Sequence, residues 1–366
     1  MMTIYALPNQ SQAWRTAFHQ ALPVLPDGVG ESDAKVLATL PIFAIVVVSK
    51  AEANHAKIDA LMNDWVQAQA NWQLIFVADD EAAKAAAHHI TPKVLLSDVS
   101  IHRYLLAPKV RTEMSSAKRE AAAHIIDEQL SAHLREFDTD VHILSLPQML
   151  NTHKLACFDM DSTLIEQEVI VELAKFCGIE DKVSEITEEA MRGEIDFNTS
   201  FARRVALLEG VSADVVDEII AKHISFQPGA HALMQSLKAL GYYTILVSGG
   251  FVPFAKYVAE TLGMDEYHAN PLLIDDGRLT GQIDDDIVDG AKKAQIAKKV
   301  ADKLGIGMEQ VVCVGDGAND LPMMAAADVG IAYHAKPIVQ AKADAAINVT
   351  GLEGVLYALG HRFDKI

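Results

Sequence analysis

The chain has 366 residues and a formal net charge of −19, and half of its residues are hydrophobic. This length allows two or three domains with a sizeable core, and the hydrophobic content excludes wholesale disorder. The acidic charge argues against nucleic acid and against an anionic membrane as partners.

Several features predict a cytoplasmic protein. The longest strongly apolar run lies near Ile42–Val48, far short of the ~20 residues that a membrane-spanning helix needs. Met1–Pro8 lacks the basic region and the apolar stretch of a signal peptide. Cys157, Cys177 and Cys313 are too few for a disulfide framework and have no metal-site spacing.

Residues 1–150 are predicted to form a small α/β module without an identifiable catalytic constellation. Apolar runs predict strands at Ile42–Val48, Trp72–Val77, Lys93–Leu96 and Val141–Leu144. Alanine-rich segments predict helices at about Glu52–Gln69 and Ser116–Arg135, with a short helix before Lys93.

From Lys154 onward, strands alternate with helical patterns, which is typical of a doubly wound α/β domain. The predicted strands are 155–160, 242–247, 311–315, 329–332 and a short one near 345–347. The segment 166–226 is helical throughout and too long for a loop, so it predicts an inserted subdomain. Asp275–Arg278 contains an Asp-Gly pair and predicts a β-hairpin.

The most informative motif follows the strand that begins at Leu155. Asp159 and Asp161 are two residues apart, so on a strand their side chains project to the same side. Ligand chemistry in open parallel sheets gathers beyond the carboxyl ends of the strands. A carboxylate there can attack phosphorus, and a neighbouring acid can protonate the leaving oxygen. The alternative is an ordinary strand-to-helix loop with an N-cap.

Two further strand ends carry polar residues of suitable kinds. Ser248–Phe251 places a hydroxyl and two glycines at a strand–helix junction, where exposed N–H groups suit a phosphoryl group. Gly315–Asp320 supplies carboxylates at a small-residue turn, and Mg²⁺ prefers such oxygen ligands. Taken singly, the first could be a glycine-rich turn and the second an Asp-Gly turn that caps a helix.

A cation for an anionic substrate is expected near the start of the helical run Ala291–Leu304. Lysine is a common point-charge partner of phosphate. Lys292, Lys293, Lys298 and Lys299 all lie in this run, and composition alone does not choose among them.

Together these pieces resemble the haloacid dehalogenase superfamily. Asp159–Thr163 resembles its first motif, Ser248–Gly250 its second, Lys292 its third and Gly315–Asp320 its fourth, in matching order and spacing. Within the superfamily, residues 154–350 resemble the phosphoserine phosphatases most. The segments that carry this closer likeness are Ala190–Phe197 and Gly330–Pro337.

The resemblance implies a fold and a domain division. Residues 151–366 would form a haloacid dehalogenase-like doubly wound parallel sheet, with a helical cap inserted at about 166–226. Residues 1–150 correspond to an amino-terminal extension, for which an ACT-like fold is one hypothesis. A regulatory or dimerising role is expected for this extension, with a homodimer as the corresponding partner.

The resemblance also implies catalytic roles. Asp159 would be the nucleophile, and Asp161 the general acid and then the base that activates water. Mg²⁺ would be held by Asp159, by the backbone carbonyl of Asp161 and by Asp316, with Asp320 orienting a metal-bound water.

Substrate-binding roles follow from the same resemblance. Ser248, Gly249, Lys292 and Asn319 would surround the phosphoryl group. In the cap, Glu168 would face the substrate ammonium and Arg204 its carboxylate, while Met191 and Phe197 would form an apolar wall. Periodicity alone leaves open whether Arg203 or Arg204 points inward, and only the resemblance selects Arg204.

The function implied is Mg²⁺-dependent hydrolysis of O-phospho-L-serine through an aspartyl-phosphate, the last step of serine biosynthesis. An amino-acid phosphate presents one cation and two anions, so its binding site should supply an acid, a base and a phosphate clamp. Two alternatives stay open: a phosphotransferase of the same superfamily, or a phosphatase for another small phosphomonoester.

Overall fold

The computed structural model describes residues 39–50, 55–77, 99–110, 112–134 and 136–361, without the side chains of His55, Leu150 and Met191. The predicted strand Lys93–Leu96 and the short helix before it lie outside the described residues. The chain divides into two compact units. The first contains the described residues up to Thr152 and those from position 344 onward, and the second is His153–Ala343.

Strands and helices are numbered in chain order. The strands are β1 Phe43–Ser49, β2 Trp72–Val77, β3 Ser100–Pro108, β4 Thr139–Ser145, β5 Leu155–Phe158, β6 Tyr243–Phe251, β7 Glu266–Asn270, β8 Ile274–Asp275, β9 Arg278–Leu279, β10 Val311–Gly315, β11 Val329–Tyr333 and β12 Ala345–Ile347. The helices are α1 His55–Gln67, α2 Ser116–His133, α3 Leu146–Leu150, α4 Val169–Cys177, α5 Glu180–Met191, α6 Phe197–Ala206, α7 Asp214–Lys222, α8 Ala230–Ala239, α9 Val252–Leu262, α10 Gly290–Leu304, α11 Leu321–Ala326, α12 Pro337–Gln340 and α13 Gly354–Ala358.

The first unit contains an antiparallel sheet in the order β2-β3-β1-β4. Apolar side chains of α1 and α2 pack on one face, with Ile58, Met62 and Ile126 buried beside Phe43 and Ile45 of β1. From Phe43 to Ser145 the described elements follow the order β-α-β-β-α-β, which is that of ferredoxin-like units. The ACT-like assignment itself stays a prediction.

The carboxyl-terminal segment of the chain belongs to the first unit. The Asp140 carboxylate on β4 accepts hydrogen bonds from the backbone N–H of Asn348 at 2.9 and 3.0 Å and of Val349 at 2.9 Å. The Arg103 guanidinium on β3 donates to the carbonyl oxygen of His361 at 2.9 Å. The buried side chains of Asp140 and Arg103 therefore bind both ends of the segment 348–361 to this sheet by hydrogen bonds.

Replacing Asp140 with Ala is expected to destabilise the first unit by about 1–3 kcal/mol, because the backbone N–H groups of Asn348 and Val349 lose a charged acceptor. The measurement is the midpoint of urea denaturation followed by circular dichroism. Asp138→Ala is the matched control, since Asp138 is exposed two residues earlier. Equal midpoints for the two variants would contradict the prediction.

The second unit is built on parallel strands in the order β11-β10-β5-β6-β7. β5 and β10 are buried along their whole length, as expected for the centre of a parallel sheet. β5 ends at Phe158, two residues earlier than predicted, so Asp159 and Asp161 both lie beyond the ladder. The hairpin predicted around Asp275–Arg278 forms as β8 and β9.

The inserted segment predicted at 166–226 consists of the helices α4 to α7. Its two connections to the sheet domain lie side by side: Ile165 pairs with Phe226 in an antiparallel bridge, and the N–H of Glu166 donates to the carbonyl of Ser225 at 3.0 Å. We call this segment the cap. In the part of the chain that the structure describes, no helix combines the length and the apolar character needed to cross a membrane.

Candidate active site

Carboxylates converge at the carboxyl edge of the parallel sheet, as the strand order predicts. Asp159 follows β5, and its N–H donates to the carbonyl of Val314 on the neighbouring β10 at 3.0 Å. Asp316 and Asp320 follow β10. Oxygen atoms of Asp159, Asp316 and Asp320 all lie within 4.8 Å of one another. The first and fourth motifs therefore form one acidic cluster.

A buried lysine lies inside this cluster. The Lys293 ammonium is 2.7 Å from Asp159 Oδ1 and 2.7 Å from Asp320 Oδ1. Lys293 and Asp320 are fully buried, and Asp159 is nearly so. Burial alone would lower the pKa of Lys293, but Asp159 and Asp320 raise that pKa above its usual value. Lys293 therefore stays charged.

The structure does not bring Lys292, the lysine implied by the family resemblance, to the cluster. Its ammonium forms an ion pair with the exposed Asp286 at 2.7 Å. Both lysines start α10, where Asp289 caps the helix by accepting from the N–H of Lys292 at 2.8 Å. One step along a helix turns the side chain by about 100°, so Lys293 occupies the position expected for Lys292.

Helical periodicity could have found Lys293 in the sequence. The buried residues of α10 are Lys293, Ile296, Ala297, Val300 and Ala301. They follow the i, i+3, i+4, i+7, i+8 spacing of a helix face packed on a core. A lysine that continues an apolar stripe is buried, and a buried lysine needs an acidic partner.

Burial and neighbouring charges raise the pKa of three carboxyl groups at this site. Burial, followed by the charge of Asp320, raises the pKa of Asp159, and Lys293 offsets part of the rise. The same two causes raise the pKa of Asp316 to about 7. Burial and then the charges of Glu168 and Asp159 raise the pKa of Asp161. Asp161 Oδ1 is inaccessible and accepts no hydrogen bond, so this side chain suits a proton donor.

The second motif lies beside these acids. Ser248 is buried within β6, which continues to Phe251, and its Oγ accepts from the N–H of Gly250 at 2.9 Å. A Cβ at Gly250 would be 3.2 Å from Asp161 Oδ2 and 3.0 Å from Met160 Cε, so a larger residue would crowd the first motif. Gly249 is equally restricted, since its Cβ would lie 3.0 Å from Phe197.

Asn270 supports this loop and was not predicted. It is buried at the end of β7, donates to the carbonyl of Gly249 at 2.8 Å and accepts from the N–H of Val288 at 2.7 Å. Its amide thereby joins the second motif to the segment that precedes α10. A strand as polar as Glu266–Asn270 gave no signal for this role.

Asn319 lies in the fourth-motif loop, close to the start of α10. A Cβ at Gly290 would be 2.7 Å from the carbonyl oxygen of Asn319, and a Cβ at Gly317 would be 2.2 Å from its Oδ1. The absence of a side chain at Gly290 and Gly317 therefore allows Asn319 to lie close to the backbone of both residues. The loop is closed by the N–H of Gly317, which donates to Asp320 Oδ2 at 3.0 Å.

The cap brings two charged residues toward Asp161. Glu168 is exposed and accepts from Ser162 Oγ at 2.9 Å. Burial lowers the pKa of Arg204, while the charges of Glu168 and Asp161 counteract that shift. Arg203 instead binds the Glu189 carboxylate through both terminal nitrogens on an exposed surface. Of the two adjacent arginines, Arg204 is the one that faces the candidate site.

Phe197 contributes an apolar surface at the same place. Its ring contacts the position of Gly249, stacks on Phe201 with 6.0 Å between centroids, and Phe201 packs on Phe251 of β6 at 5.6 Å. The side chain of Met191, the other predicted wall residue, lies outside the described residues.

Comparison with known proteins identifies the family. The family model for haloacid dehalogenase-like hydrolases matches residues 156–325. A probable phosphoserine phosphatase of Schizosaccharomyces pombe is 48% identical over 225 residues, which are 61% of this chain and 75% of that protein. The chain belongs to the haloacid dehalogenase-like hydrolase family. The resemblance and the haloacid dehalogenase-like α/β fold with a parallel sheet, both inferred from the sequence, are thus confirmed.

Further haloacid dehalogenase-like relatives are also phosphatases. A phosphoserine phosphatase of Streptomyces coelicolor is 44% identical over 231 residues, 63% of this chain, and the match spans 56% of that protein. A solved phosphoserine phosphatase, captured as a phospho-aspartyl intermediate analogue, is 40% identical with a TM-score of 0.53. It covers 57% of this chain and 99% of its own. The chain is therefore a phosphatase enzyme of this family.

Members of this hydrolase family generally use a divalent metal, and the acidic cluster fits one. Asp159, Asp316 and Asp320 carry three carboxylates, whereas Lys293 supplies one positive charge among them. Thr163 Oγ1 donates to Asp316 Oδ1 at 3.0 Å and orients that carboxylate. Carboxylate oxygens are the ligands that Mg²⁺ prefers, and a divalent cation would balance the remaining buried charge.

Proposed function

We propose that this chain hydrolyses O-phospho-L-serine to L-serine and phosphate, with Mg²⁺ as cofactor and with an aspartyl-phosphate intermediate on Asp159. The observation that carries the proposal is the meeting of Asp159, Asp161 and Lys293 at one sheet edge, beneath a cap that presents Glu168 and Arg204. The named activity of several relatives supports the same substrate.

In the first chemical step, Asp159 attacks phosphorus and the bond to the serine oxygen breaks. The N–H of Met160 donates to Asp159 Oδ1 at 2.7 Å, and Lys293 contacts the same oxygen. Both contacts orient the carboxylate so that its second oxygen is left for the attack. Asp161, whose pKa is raised by burial, gives its proton to the departing serine oxygen.

In the second step, Asp161 acts as a base. Having lost its proton, it accepts one from the water that attacks the phosphorus of the aspartyl-phosphate. The bond from phosphorus to the Asp159 oxygen breaks, phosphate leaves, and Asp159 returns to its carboxylate while Asp161 is protonated again. Ser248, whose oxygen already accepts from Gly250, keeps its own proton for a phosphoryl oxygen. The backbone of Gly249, the Lys293 ammonium and the Asn319 side chain complete the phosphoryl site in this proposal, with Lys293 in the role first expected of Lys292.

Asp159, Asp316 and the backbone carbonyl of Asp161 would hold Mg²⁺, with Asp320 placed to orient a water bound to it. When bound, the ion neutralises the negative charge that develops on the transferring phosphoryl group.

The cap residues would select the amino acid. Glu168 would contact the ammonium and Arg204 the carboxylate, while Phe197 and Met191 would cover the short side chain. Arginine suits this role because its guanidinium can bind a carboxylate through two parallel hydrogen bonds.

Arg204→Ala is expected to lower kcat/KM for phosphoserine by roughly 100-fold and for p-nitrophenyl phosphate by less than about 3-fold. The reason is that only phosphoserine has a carboxylate to pair with the guanidinium. Arg203→Ala is the matched control and should leave both values nearly unchanged, because Arg203 pairs with Glu189. Equal losses of kcat/KM on both substrates in Arg204→Ala would contradict the proposed pairing of Arg204 with the substrate carboxylate.

The proposal is tested by phosphate release from L-O-phosphoserine beside O-phosphothreonine, glycerol phosphate and p-nitrophenyl phosphate. A strong preference for phosphoserine in kcat/KM supports the assignment. A comparable rate on every ester would retain the phosphatase chemistry and overturn the substrate. Supplying homoserine as acceptor distinguishes transfer from hydrolysis, since a phosphotransferase would form phosphohomoserine.

For residues 1–150 we keep a regulatory or dimerising role as a proposal, with a homodimer as the assembly. A cytoplasmic location belongs to the same proposal and is supported by the free thiols of Cys157, Cys177 and Cys313. Sedimentation of the full chain tests the dimer, and a purely monomeric species would contradict it.

A further inference from the structure

Ser162, the residue after Asp161, has an unusual backbone. Its φ is 57°, in the left-handed region. This conformation is unfavourable for a residue with a side chain, and it persists only where surrounding contacts hold it. The contacts of Ser162 therefore decide where its hydroxyl points.

The backbone N–H and carbonyl of Ser162 both form hydrogen bonds with the two connections between cap and sheet. Its N–H donates to the carbonyl oxygen of Gln167 in the outgoing connection at 3.2 Å. Its carbonyl oxygen accepts from the amide nitrogen of Gln227 in the returning connection at 3.2 Å. The same Gln227 nitrogen lies 3.5 Å from the carbonyl oxygen of Ile165.

The two connections are themselves joined. The side-chain amide of Gln167 donates to Ser225 Oγ at 2.8 Å and accepts from the N–H of Ser225 at 2.9 Å. Gln227, two residues after Ser225, also accepts from the hydroxyl of Tyr333 at the end of β11, with 3.4 Å between oxygens. Gln227 thus links the sheet, the returning connection and the loop after the catalytic acids.

The hydroxyl of Ser162 connects this network of hydrogen bonds to the cap residue Glu168. Ser162 Oγ donates to Glu168 Oε1 at 2.9 Å. Glu168 is otherwise exposed at the start of α4 and has several rotatable bonds. Restricting these bonds before substrate binds reduces the entropy lost on binding.

We infer that Gln227 is a positioning residue that determines specificity: by holding Ser162 in its left-handed conformation, it orients Glu168 toward the substrate ammonium. The inference rests on the proposed function, because it takes Glu168 as the group that binds the ammonium. Gln227 touches no reacting atom, and its effect passes through Ser162 and Glu168.

The test compares two Gln227 variants on two substrates. Gln227→Met keeps the length of the side chain and loses its donor, and Gln227→Glu replaces the donor with an acceptor. Each should lower kcat/KM for L-O-phosphoserine by about 10-fold, mainly through KM, as expected for one lost hydrogen bond. Activity on p-nitrophenyl phosphate, which has no ammonium, should change by less than about 2-fold. Gln235→Glu, at an exposed position of α8, is the matched control.

A double-mutant cycle separates positioning from a general structural effect. In a Glu168→Gln background, Gln227→Met should lower kcat/KM for L-O-phosphoserine by less than about 2-fold further. The reason is that the side chain at position 168, which Gln227 orients, no longer carries a charge. The full 10-fold loss in that background, or equal losses on both substrates, would overturn the inference. If Gln227→Met does not fold, Gln227→Glu is measured in the same cycle.

Failure of the inference is distinguishable from failure of the proposed function. If the unsubstituted chain does not prefer phosphoserine, the substrate proposal fails, and the inference fails with it. If the chain prefers phosphoserine and both Gln227 variants retain that preference, only the inference fails.

Discussion

Replacing Asp159 with Asn is expected to reduce phosphatase activity by roughly 10⁴-fold or more, the scale seen when a covalent nucleophile is removed. The amide keeps the shape of the side chain but cannot attack phosphorus. Steady-state phosphate release from L-O-phosphoserine, at enzyme concentrations high enough to detect slow turnover, measures the loss.

The fold of the Asp159→Asn variant should be retained. Asp159 lies within a cluster of carboxylates, and burial and Asp320 already disfavour its charged form. Removing that charge lessens repulsion, while Lys293 keeps its contact with Asp320 at 2.7 Å. The midpoint of thermal unfolding without metal should therefore equal or exceed that of the unsubstituted chain. Substantial activity in this variant would contradict the nucleophile assignment.

The second large effect is expected at Lys293. Lys293→Met should lower the stability of the second unit by about 3–5 kcal/mol, because buried acidic groups lose their cation. It should also reduce kcat by about 100- to 1,000-fold, the usual loss for one charge-stabilising group. Urea denaturation and phosphate release, measured on the same preparation, check the two parts.

Lys292→Met provides a matched control one residue away. Lys292 pairs with Asp286, whose side chain is 74% exposed, and surface substitutions of this kind usually change stability by less than about 0.5 kcal/mol. Its activity should stay close to that of the unsubstituted chain. If Lys292→Met were the more damaging of the two, the geometry around α10 would be contradicted and the lysine first selected from the sequence would be reinstated.

The catalytic sheet could be predicted because its signals are local. β5 and β10 are continuous apolar runs that end in carboxylates, and such runs predict central strands of a parallel sheet. The expectation that polar residues at adjacent strand ends meet then follows from topology alone.

The elements that were missed lack this signal. β3 carries His102 and Arg103 in its middle, yet both side chains are buried. β7 has a polar sequence because it pairs along one edge only, with β6. Tertiary contacts far along the chain satisfy such residues, so a local pattern does not reveal them.

The difference between Lys292 and Lys293 has another origin. Motif spacing locates the start of a helix to within a residue, whereas the direction of a side chain changes by about 100° per residue. The choice between Arg203 and Arg204 had the same ambiguity. Both choices depend on which face of the helix packs against the protein core. In the structure, the buried face of α10 includes Val300, and the buried face of α6 includes Phe201.

The acidic cluster of Asp159, Asp316 and Asp320 is expected to make the hydrolysis of phosphoserine depend on Mg²⁺. The most direct measurement is the initial rate of phosphate release from L-O-phosphoserine by chelator-treated protein, titrated with Mg²⁺. We expect a rate near zero without the ion and saturable recovery on its addition, and Asp316→Asn should require more Mg²⁺ for half recovery. An undiminished rate after complete removal of divalent metal would contradict the account.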